Sequence, residues 1–361
     1  MKFAFRVDAS VVIGNGHVFR CLTLATALKK RGHKCLFICR MHEGYLGDKI
    51  ADEGFEVLRL PIRNLIQKSE TQRLENWLGA SIQDDVADIS DYIKERVIDW
   101  VIVDHYAIDH HWEMALKNQS IKIMVIDDLA DRNHACDLLL DQNLGRNSKD
   151  YIGLIPEDCK LLLGVKFALL RDEFAQMRPV SLARRKNFGL NNILVTLGGV
   201  DRQNISIRIL NLLEPILSNS DCNVNIILGS NAPWIYSIKH FINKAKFSTS
   251  LLLDVKNMAT LMSQSDLIIG AAGTTAWERC CLGIPTISIA LANNQESIQK
   301  ALFESSVILS VEVADLDHQL INAISTIVAH PDQALAMGLR GSKLVDGLGV
   351  NRVVDYLLGL H

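Results

Sequence analysis

Residues 2–30 read KFAFRVDASVVIGNGHVFRCLTLATALKK, and this stretch decides the predicted fold of the first half of the chain. Its apolar start, residues 2–7, is typical of a strand that is covered on both faces. A turn with Gly14 and Gly16 follows, and the amphipathic segment 17–30 then predicts a helix. A strand, a glycine turn and a helix in this order indicate the first part of a parallel α/β sheet.

The same alternation of short apolar runs and longer helical segments continues along the chain. In the first half, strands are predicted at residues 2–7, 34–39, 55–58, 99–103, 121–126 and 137–140. In the second half, they are predicted at residues 192–197, 223–228, 250–253, 266–270 and 286–290. Predicted helices separate most of these strands, among them 71–97, 204–217 and 274–282. The pattern therefore predicts an α/β protein with two parallel sheets, each covered by helices.

A polar and basic segment at residues 174–190 divides the two halves. It contains Pro179 and is typical of a linker. The predicted domains are therefore 1–173 and 191–345, and the last segment, 346–361, is expected to form a helix that packs back on the first domain. We expect the two Rossmann-like sheets to face each other across a cleft, because ligands of α/β sheets bind at the carboxyl ends of the strands.

The bulk composition excludes several classes of protein. The chain has 361 residues, of which 48% are hydrophobic and 22% are charged, as is ordinary for globular domains with a good core. Its net charge of −3 argues against nucleic acid as a partner. No apolar stretch approaches the roughly 18 residues of a spanning helix and no leader segment is visible, so we expect a cytoplasmic protein without membrane insertion. The eight cysteines include no C-x-x-C pair, which disfavours a structural zinc site.

Three glycine-bearing turns lie between a predicted strand and a predicted helix. Glycine lets the backbone approach an anion closely, and the helix that follows offers free N–H groups and the positive end of its dipole. One such turn alone is more often a plain tight connection, but three at strand ends favour a nucleoside diphosphate as ligand. A dinucleotide is not favoured, because Phe19 stands where G-x-G-x-x-G requires its last glycine. The turns contain Gly14, Gly16, Gly198, Gly199, Gly273, Thr274 and Thr275.

Two acidic residues lie next to these turns. Glu278 falls one helical turn after Thr274 and Thr275, where its carboxylate could accept hydrogen bonds from ribose hydroxyls, and a solvated helix acid is the alternative. Asp8 leaves the first strand and is a candidate for orienting His17 or for binding sugar hydroxyls, with a turn-capping aspartate as the alternative.

Several motifs together resemble the UDP-sugar hydrolases of pseudaminic acid biosynthesis. The resemblance covers nearly the whole chain and is weakest over residues 62–98, a stretch that is long for the family. The motifs are F-R-V-D-A-S-x-x-I-G-x-G-H-V-x-R-C-L-T-L-A from Phe5, T-L-G-G-x-D from Thr196, G-T-T-A-W-E-R-C-C-L-G-I-P-T from Gly273, A-N-N-Q-E from Ala292 and V-D-G-L-G-V-N-R-V from Val345.

The resemblance implies a fold and a reaction. The implied fold is GT-B, as in the glycosyltransferase that adds GlcNAc to lipid I, with UDP bound mainly by the second domain. The implied reaction is hydrolysis of a UDP-linked diacetamido-trideoxy-hexose with inversion at the anomeric carbon, without a metal or a cofactor. We expect the protein to act as a monomer.

The resemblance also assigns roles to individual residues. The functional histidine of the family falls on His17, its cleft tyrosine on Tyr106 and its cleft asparagine on Asn294. Glu278 takes the position that holds ribose, and Gln295 offers a further amide next to Asn294. Because a helix N-terminus disfavours an imidazolium, we expect His17 to be a neutral base that activates water. A capping or packing histidine is the alternative for His17, and a plain buried tyrosine is the alternative for Tyr106.

Three other functions remain open on the sequence alone. The segment DHYAIDHH from Asp104 to His111 could indicate a metal-dependent phosphoesterase, although a helix start at Asp109 is the favoured interpretation. A glycosyltransferase of the same fold would pass the sugar to an acceptor other than water. A non-catalytic sensor would bind the UDP-sugar without releasing UDP.

Overall fold

The structure, a computed structural model, divides the chain into two compact units, which we call unit 1 and unit 2. It describes residues 1–63, 74–117, 121–186 and 189–360, with the backbone alone for residues 74, 75, 293 and 294. Unit 1 comprises Met1–Leu169 together with Gly349–His361, and unit 2 comprises Leu170–Leu348.

Unit 1 is built on a parallel sheet of seven strands within the described residues, in the order β3-β2-β1-β4-β5-β6-β7. The strands are β1 Lys2–Val7, β2 Lys34–Arg40, β3 Glu56–Leu60, β4 Trp100–Asp104, β5 Lys122–Ile126, β6 Leu138–Asp141 and β7 Lys160–Leu163. β1 pairs with β4 so that Val7 lies opposite Asp104. The residues that follow these two central strands therefore emerge at the same edge of the sheet.

Helices cover both faces of this sheet because its strands are apolar on both sides. The helices that precede unit 2 in the chain are α1 Gly16–Lys30, α2 Gly47–Asp52, α3 Ile82–Arg96 and α4 His110–Lys117. On one face, α1 shares a core with the stacked rings of Phe5 and Phe37, whose centroids are 4.9 Å apart. On the other face, α4 buries Trp112 in a second apolar cluster. The predicted helix 71–97 is shorter in the structure, because α3 begins at Ile82 behind the capping side chain of Ser81.

Unit 2 repeats the plan with a parallel sheet of six strands within the described residues, in the order β10-β9-β8-β11-β12-β13. The strands are β8 Asn192–Thr196, β9 Asn223–Leu228, β10 Ser248–Leu253, β11 Leu267–Ala271, β12 Thr286–Ile289 and β13 Leu309–Val311. The helices are α5 Asp172–Arg184, α6 Ile205–Leu217, α7 Ile235–Ile242, α8 Met258–Gln264, α9 Thr275–Leu282, α10 Asn293–Glu304, α11 Leu316–Ala329 and α12 Pro331–Leu344.

The segment 174–190, expected as a linker, is largely helical and belongs to unit 2. α5 packs on α8 and α9, and Ser181 donates to the carbonyl of Leu282 at 2.7 Å. Arg178 donates through Nη2 to the carbonyl of Ser342 at 2.7 Å. The basic side chains that suggested a solvated connection instead bind carbonyls at the carboxyl ends of helices, where a cation is favourable.

The segment 346–361 contains a last helix, α13 Gly349–Leu358, which belongs to unit 1. Its apolar residues, among them Val353 and Leu357, share the core cluster of α1. Arg31 and Asp355 form an ion pair at 3.2 Å between the two helices. This helix therefore completes the cover of one face of the first sheet.

Two short strands were missed by the sequence pattern. β7 has four residues and β13 three, so both lie at or below the shortest apolar run that indicates a strand. Both are edge strands, so their pairing is decided by the neighbouring strand and not by their own apolar character.

Gly338 in α12 gives a test of the packing in unit 2. A Cβ at this position would overlap the carbonyl oxygen of Gly283, whereas a Cβ at Gly341 would meet its nearest atoms at 3.4 Å. Alanine normally stabilises a helix interior relative to glycine by about 1 kcal/mol. We expect Gly338→Ala to lower the free energy of unfolding by at least about 2 kcal/mol, because a backbone must move to admit the methyl group.

The matched control is Gly341→Ala, one helical turn away on the same helix. It should be neutral or stabilising in urea denaturation monitored by circular dichroism. Equal effects of the two substitutions would contradict the close approach of α12 to Gly283.

Candidate active site

The carboxyl edge of the first sheet gathers most of the polar residues that the sequence singled out in unit 1. Asp8 follows β1, Asp104 ends β4, and His17 lies at the start of α1. The parallel pairing of β1 with β4 brings these positions to one edge. The edge carries two separate groups of charged side chains.

The first group joins His17 to Asp104 and Arg20. His17 Nδ1 lies 2.6 Å from Asp104 Oδ1, and only 8% of the histidine side chain is exposed. Arg20, one helical turn further along α1, donates to both carboxylate oxygens at 2.6 Å. Burial opposes ionisation of Asp104, but the charge of Arg20 and the hydrogen bond with His17 outweigh it, and the pKa of Asp104 lies below its ordinary value.

This arrangement selects one tautomer of His17. An ionised carboxylate can only accept a hydrogen bond, so the 2.6 Å contact with Asp104 requires a proton on Nδ1 of the imidazole. A guanidinium has no acceptor, so the neighbouring Arg20 Nη2, 3.2 Å from Nδ1, cannot take that proton. In the neutral ring Nε2 then carries the lone pair and is available as a base.

Tyr106 lies beside His17, as the sequence predicted for two residues of one site. Its ring meets the imidazole edge to face, with the centroids 4.7 Å apart, and its hydroxyl donates to Asp128 at 3.2 Å. Trp77 stacks on the tyrosine with a centroid distance of 5.7 Å. Tyr106 is thus both a buried tyrosine with a satisfied hydroxyl and a neighbour of the candidate base.

Asp8 belongs to the second group of charges and not to the first. Its Oδ1 accepts from the backbone N–H of Arg40 at 2.6 Å and pairs with Arg6 at 2.8 Å, and its Oδ2 lies 3.2 Å from His105 Nε2. Burial opposes ionisation of Asp8, but the charge of Arg6 outweighs it and holds the pKa well below its ordinary value. The orienting role that the sequence offered to Asp8 is therefore taken by Asp104.

The glycine turn before α1 is closed by Ser10. The Gly14 N–H donates to the carbonyl of Ser10 at 2.9 Å, and Ser10 Oγ accepts from the N–H of Ile13 at 2.8 Å. Gly14 has φ +84°, a conformation that suits glycine, and a Cβ at Gly14 or Gly16 would meet no atom within 4 Å. The surface next to His17 is therefore open at both glycines.

In unit 2, the turn at Gly198 and Gly199 follows β8 and is exposed, with φ +90° at Gly198. The helix behind it is already capped, since Asp201 accepts from the N–H groups of Ile205 and Ser206 at 2.9 Å each. The first amides of α6 are therefore occupied, contrary to the expected free helix N-terminus, and this turn offers its glycine backbone alone.

The second turn of unit 2 lies between β11 and α9 and differs from the first. The Thr274 side chain makes no capping hydrogen bond within the described residues, and Gly273, Thr274 and Thr275 are all half-buried. Gln295 Nε2 lies 3.8 Å from the position of a Cβ on Gly273, while Gln295 Oε1 accepts from the N–H of Leu291 at 3.0 Å. The side chain of Asn294, another predicted site residue, lies outside the described part of the chain.

Glu278 lies near this turn, with 15% of its side chain exposed and Arg171 Nη2 at 3.6 Å. Burial raises the pKa of Glu278 to about 7 and outweighs the opposite effect of the Arg171 charge. Arg279, the next residue, donates to the carbonyl of Ala271 at 2.8 Å and to Thr275 Oγ1 at 3.1 Å. Gly270 makes room for Arg279, because a Cβ there would lie 2.5 Å from its guanidinium.

Five side chains that contact candidate site residues or their turns were missed by the sequence analysis: Arg20, Asp104, Asp128, Arg171 and Arg279. A usable signal existed for three of them. Arg20 is three residues after His17 and Arg279 is four residues after Thr275, so each pair lies on one face of a helix, and Asp104 ends the strand before the predicted site residue Tyr106. Asp128 and Arg171 are brought in by contacts between distant segments and carry no local pattern.

The Asp109, His110 and His111 group begins α4. Their potential ligand atoms lie within 4.8 Å of one another. Asp109 Oδ1 accepts from the N–H of His111 at 2.9 Å, and the Asp109 carbonyl accepts from the N–H of Glu113 at 3.2 Å. The D-H-H sequence therefore has the hydrogen bonds of a helix start.

Among the described residues, no helix is long and apolar enough to cross a membrane.

Comparisons with known proteins agree with this two-sheet plan. The glycosyltransferase family 28 C-terminal domain matches residues 193–347. An uncharacterised protein of Methanocaldococcus jannaschii is 29% identical over 80% of this chain, and the match spans 55% of that protein. The solved structure of Acinetobacter baumannii MurG has a TM-score of 0.71 and 16% identity, and the match covers 99% of this chain and 100% of that chain. The predicted GT-B fold is thereby confirmed.

A third relative settles the family that the sequence motifs predicted. It is the UDP-2,4-diacetamido-2,4,6-trideoxy-β-L-altropyranose hydrolase of Campylobacter jejuni, 30% identical over 298 residues. The match covers 82% of this chain and 94% of the Campylobacter protein. With this identity along nearly the full length of that relative, the chain belongs to the family of UDP-2,4-diacetamido-2,4,6-trideoxy-β-L-altropyranose hydrolase.

Proposed function

We propose that this protein hydrolyses UDP-2,4-diacetamido-2,4,6-trideoxy-β-L-altropyranose to UDP and the free sugar, the activity for which its Campylobacter relative is named. One observation carries the proposal. The buried Asp104 fixes a proton on His17 Nδ1 and leaves Nε2 as the acceptor, which is the state of a general base. His134 makes a similar contact with the buried Glu113, at 2.7 Å, but His17 differs from it in lying beside the open backbone of Gly14 and Gly16.

His17 acts on water in this proposal. Nε2 takes a proton from a water molecule, whose oxygen attacks the anomeric carbon from the face opposite UDP. The bond between that carbon and the phosphate oxygen breaks, and UDP leaves with the bonding electrons, so the configuration inverts. Because UDP is a good leaving group, the two carboxylates of ordinary glycoside hydrolysis are not required.

Unit 2 holds the nucleotide in this proposal. The turn of Gly273, Thr274 and Thr275 receives phosphate oxygens, because these half-buried residues lie at the start of α9 and the Thr274 side chain makes no capping hydrogen bond. Glu278 accepts hydrogen bonds from the ribose hydroxyls, and Gln295 presents its amide N–H beside Gly273. Gly198 and Gly199 offer a second, exposed stretch of backbone.

The sugar is the ligand proposed for the remaining site residues. Tyr106, held by Asp128, lies against His17 and would contact the water or an acetamido group. The open backbone of Gly14 and Gly16 admits a group beside the base. Asn294 is proposed as a further amide for the sugar on the basis of the motif alone.

A glycosyltransferase is the second candidate function. The match of residues 193–347 to a glycosyltransferase domain and the likeness to MurG favour it as strongly as they favour any UDP-sugar enzyme. The two candidates differ in the acceptor alone, because a transferase uses a hydroxyl of another molecule where a hydrolase uses water.

The decisive measurement is incubation of the protein with the UDP-sugar and no acceptor. We expect UDP release in a coupled assay, with the inverted anomer as the first product seen by NMR. Turnover should persist in a chelator. Absence of UDP release without an acceptor would favour the transferase, and binding of the UDP-sugar with no release in any mixture would favour a sensor.

His17→Ala should lower kcat by about 10²–10⁴-fold, the usual contribution of a general base, without weakening UDP binding. The matched control is His111→Ala, since 68% of the His111 side chain is exposed and it belongs to the D-H-H group. It should keep full turnover. Near-normal turnover of a folded His17→Ala protein would refute the role of His17.

Glu278 should make UDP binding depend on pH. Its pKa of about 7 means that the carboxylate forms as the pH rises from 6 to 8. A carboxylate accepts hydrogen bonds from ribose more strongly than the neutral acid does, so UDP affinity should rise roughly tenfold over this range if the charged form alone binds. Isothermal titration calorimetry at both pH values tests this, with Glu278→Gln as the control. The same pH dependence in the variant would assign it to UDP itself.

The Glu278 carboxyl group should also make the free energy of unfolding depend on pH, and this stability should fall as the pH rises. The folded-state pKa of about 7 lies above the ordinary 4.5, so the folded protein binds the proton more tightly than the unfolded chain. That stabilisation is complete below pH 4.5 and is lost as the pH rises through about 7. Glu278→Gln should therefore gain up to about 3 kcal/mol over the native protein between pH 4.5 and 8 in urea denaturation. A constant difference would contradict the burial of this carboxyl group.

A further inference from the structure

Arg20 occupies an unusual place in unit 1, because its guanidinium joins two carboxylates that follow different strands. The side chain is 4% exposed. It donates to both oxygens of Asp104 at 2.6 Å and to both oxygens of Asp128 at 2.9 and 3.0 Å. The planar, five-donor fork of arginine suits two such paired contacts, and the ammonium of a lysine does not.

Each of these carboxylates holds a different candidate site residue. Asp104 fixes the imidazole of His17 through Nδ1, and Asp128 accepts from the hydroxyl of Tyr106 at 3.2 Å. The two rings then meet with their centroids 4.7 Å apart. Arg20 therefore couples the positions of the two rings through the two carboxylates that it binds.

The charges explain why this cluster keeps its form. Burial would lower the pKa of Arg20, but Asp104 and Asp128 outweigh it and raise the pKa well above the ordinary value. Without this cation, the charge of the half-buried Asp128 would oppose ionisation of the buried Asp104. A protonated Asp104 would no longer require the proton on His17 Nδ1.

We propose that Arg20 is a positioning residue: it holds the carboxylates of Asp104 and Asp128 in place, and through them sets the tautomer of His17 and the position of Tyr106. This inference rests on the proposed function for its effect on turnover, but the effect on the tautomer is independent of any reaction. Arg20 itself does not act on the substrate. Its loss should therefore lower kcat through the two rings and leave UDP binding by unit 2 unchanged.

Arg40 provides a matched control in the same unit. It is a fully buried arginine whose Nη2 bonds Asp85 at 2.6 Å and Asp88 at 3.2 Å. These carboxylates lie on α3 and hold neither His17 nor Tyr106. Arg40→Lys thus disturbs a buried ion cluster of similar kind, in the second group of charges, that holds neither of the two rings in place.

The test compares Arg20→Lys with Arg40→Lys by ¹⁵N NMR of the histidine side chains, with the His17 signals assigned by their loss in His17→Gln. In the native protein and in Arg40→Lys we expect the Nδ1–H tautomer of His17. In Arg20→Lys we expect a mixture of tautomers, a loss of kcat of about 10–100-fold and an unchanged Kd for UDP. An unchanged tautomer in folded Arg20→Lys, or an equal loss of kcat in Arg40→Lys, would overturn the proposal.

Asp128→Asn is the second variant, which tests the proposal if Arg20→Lys does not fold. It removes one charge that Arg20 compensates but keeps the shape of the side chain. We expect the His17 tautomer to remain Nδ1–H while kcat falls about tenfold through Tyr106. Full activity of this variant would overturn the coupling of Tyr106 to Arg20. If the native protein releases no UDP while Arg20→Lys still alters the tautomer, the proposed function fails and the positioning role stands.

Discussion

The candidate site of unit 1 depends on the contacts that the buried carboxylate of Asp104 makes with two residues of α1, His17 and Arg20. A buried carboxylate is costly unless it is paired, and here Arg20 supplies the charge while His17 supplies a further donor. The pairing fixes the proton on one ring nitrogen and leaves the other as a base. Since Asp104 ends a central strand, the sheet itself sets the position of the imidazole.

In unit 2, burial and not a close ion pair determines the direction of the pKa shifts of Arg279 and Glu278. Arg279 is buried against carbonyl and hydroxyl oxygens, and burial lowers its pKa to about 10. Glu278 is held 3.6 Å from Arg171, too far for a close pair, so burial prevails and its pKa rises to about 7. Unit 1 thus carries a fixed, charge-compensated cluster, while unit 2 carries a carboxyl group that changes its charge near neutral pH.

The sequence predicted much of the fold and part of the site. The two parallel sheets and eleven of their strands followed from apolar runs, and the family followed from motifs around Gly16, Gly273 and Gln295. His17 and Tyr106 were expected in one site, and the structure brings their rings together. The prediction of a linker at 174–190 was wrong, because the arginines of this segment bind helix carbonyls of unit 2. A sequence alone does not show which basic side chains find such partners.

The sequence by itself determined where strands end and helices begin, since periodicity and glycine placement are local properties. It therefore placed His17 at a helix start and Glu278 one turn after a glycine turn. The tertiary structure alone decided which carboxylate meets which base. Asp8 and Asp104 both lie at the carboxyl ends of apolar strands, at one edge of the sheet. Asp104 contacts His17 and Arg20, which lies 84 residues away in the chain, whereas Asp8 pairs with Arg6. Such a choice depends on contacts between distant segments, which no local pattern records.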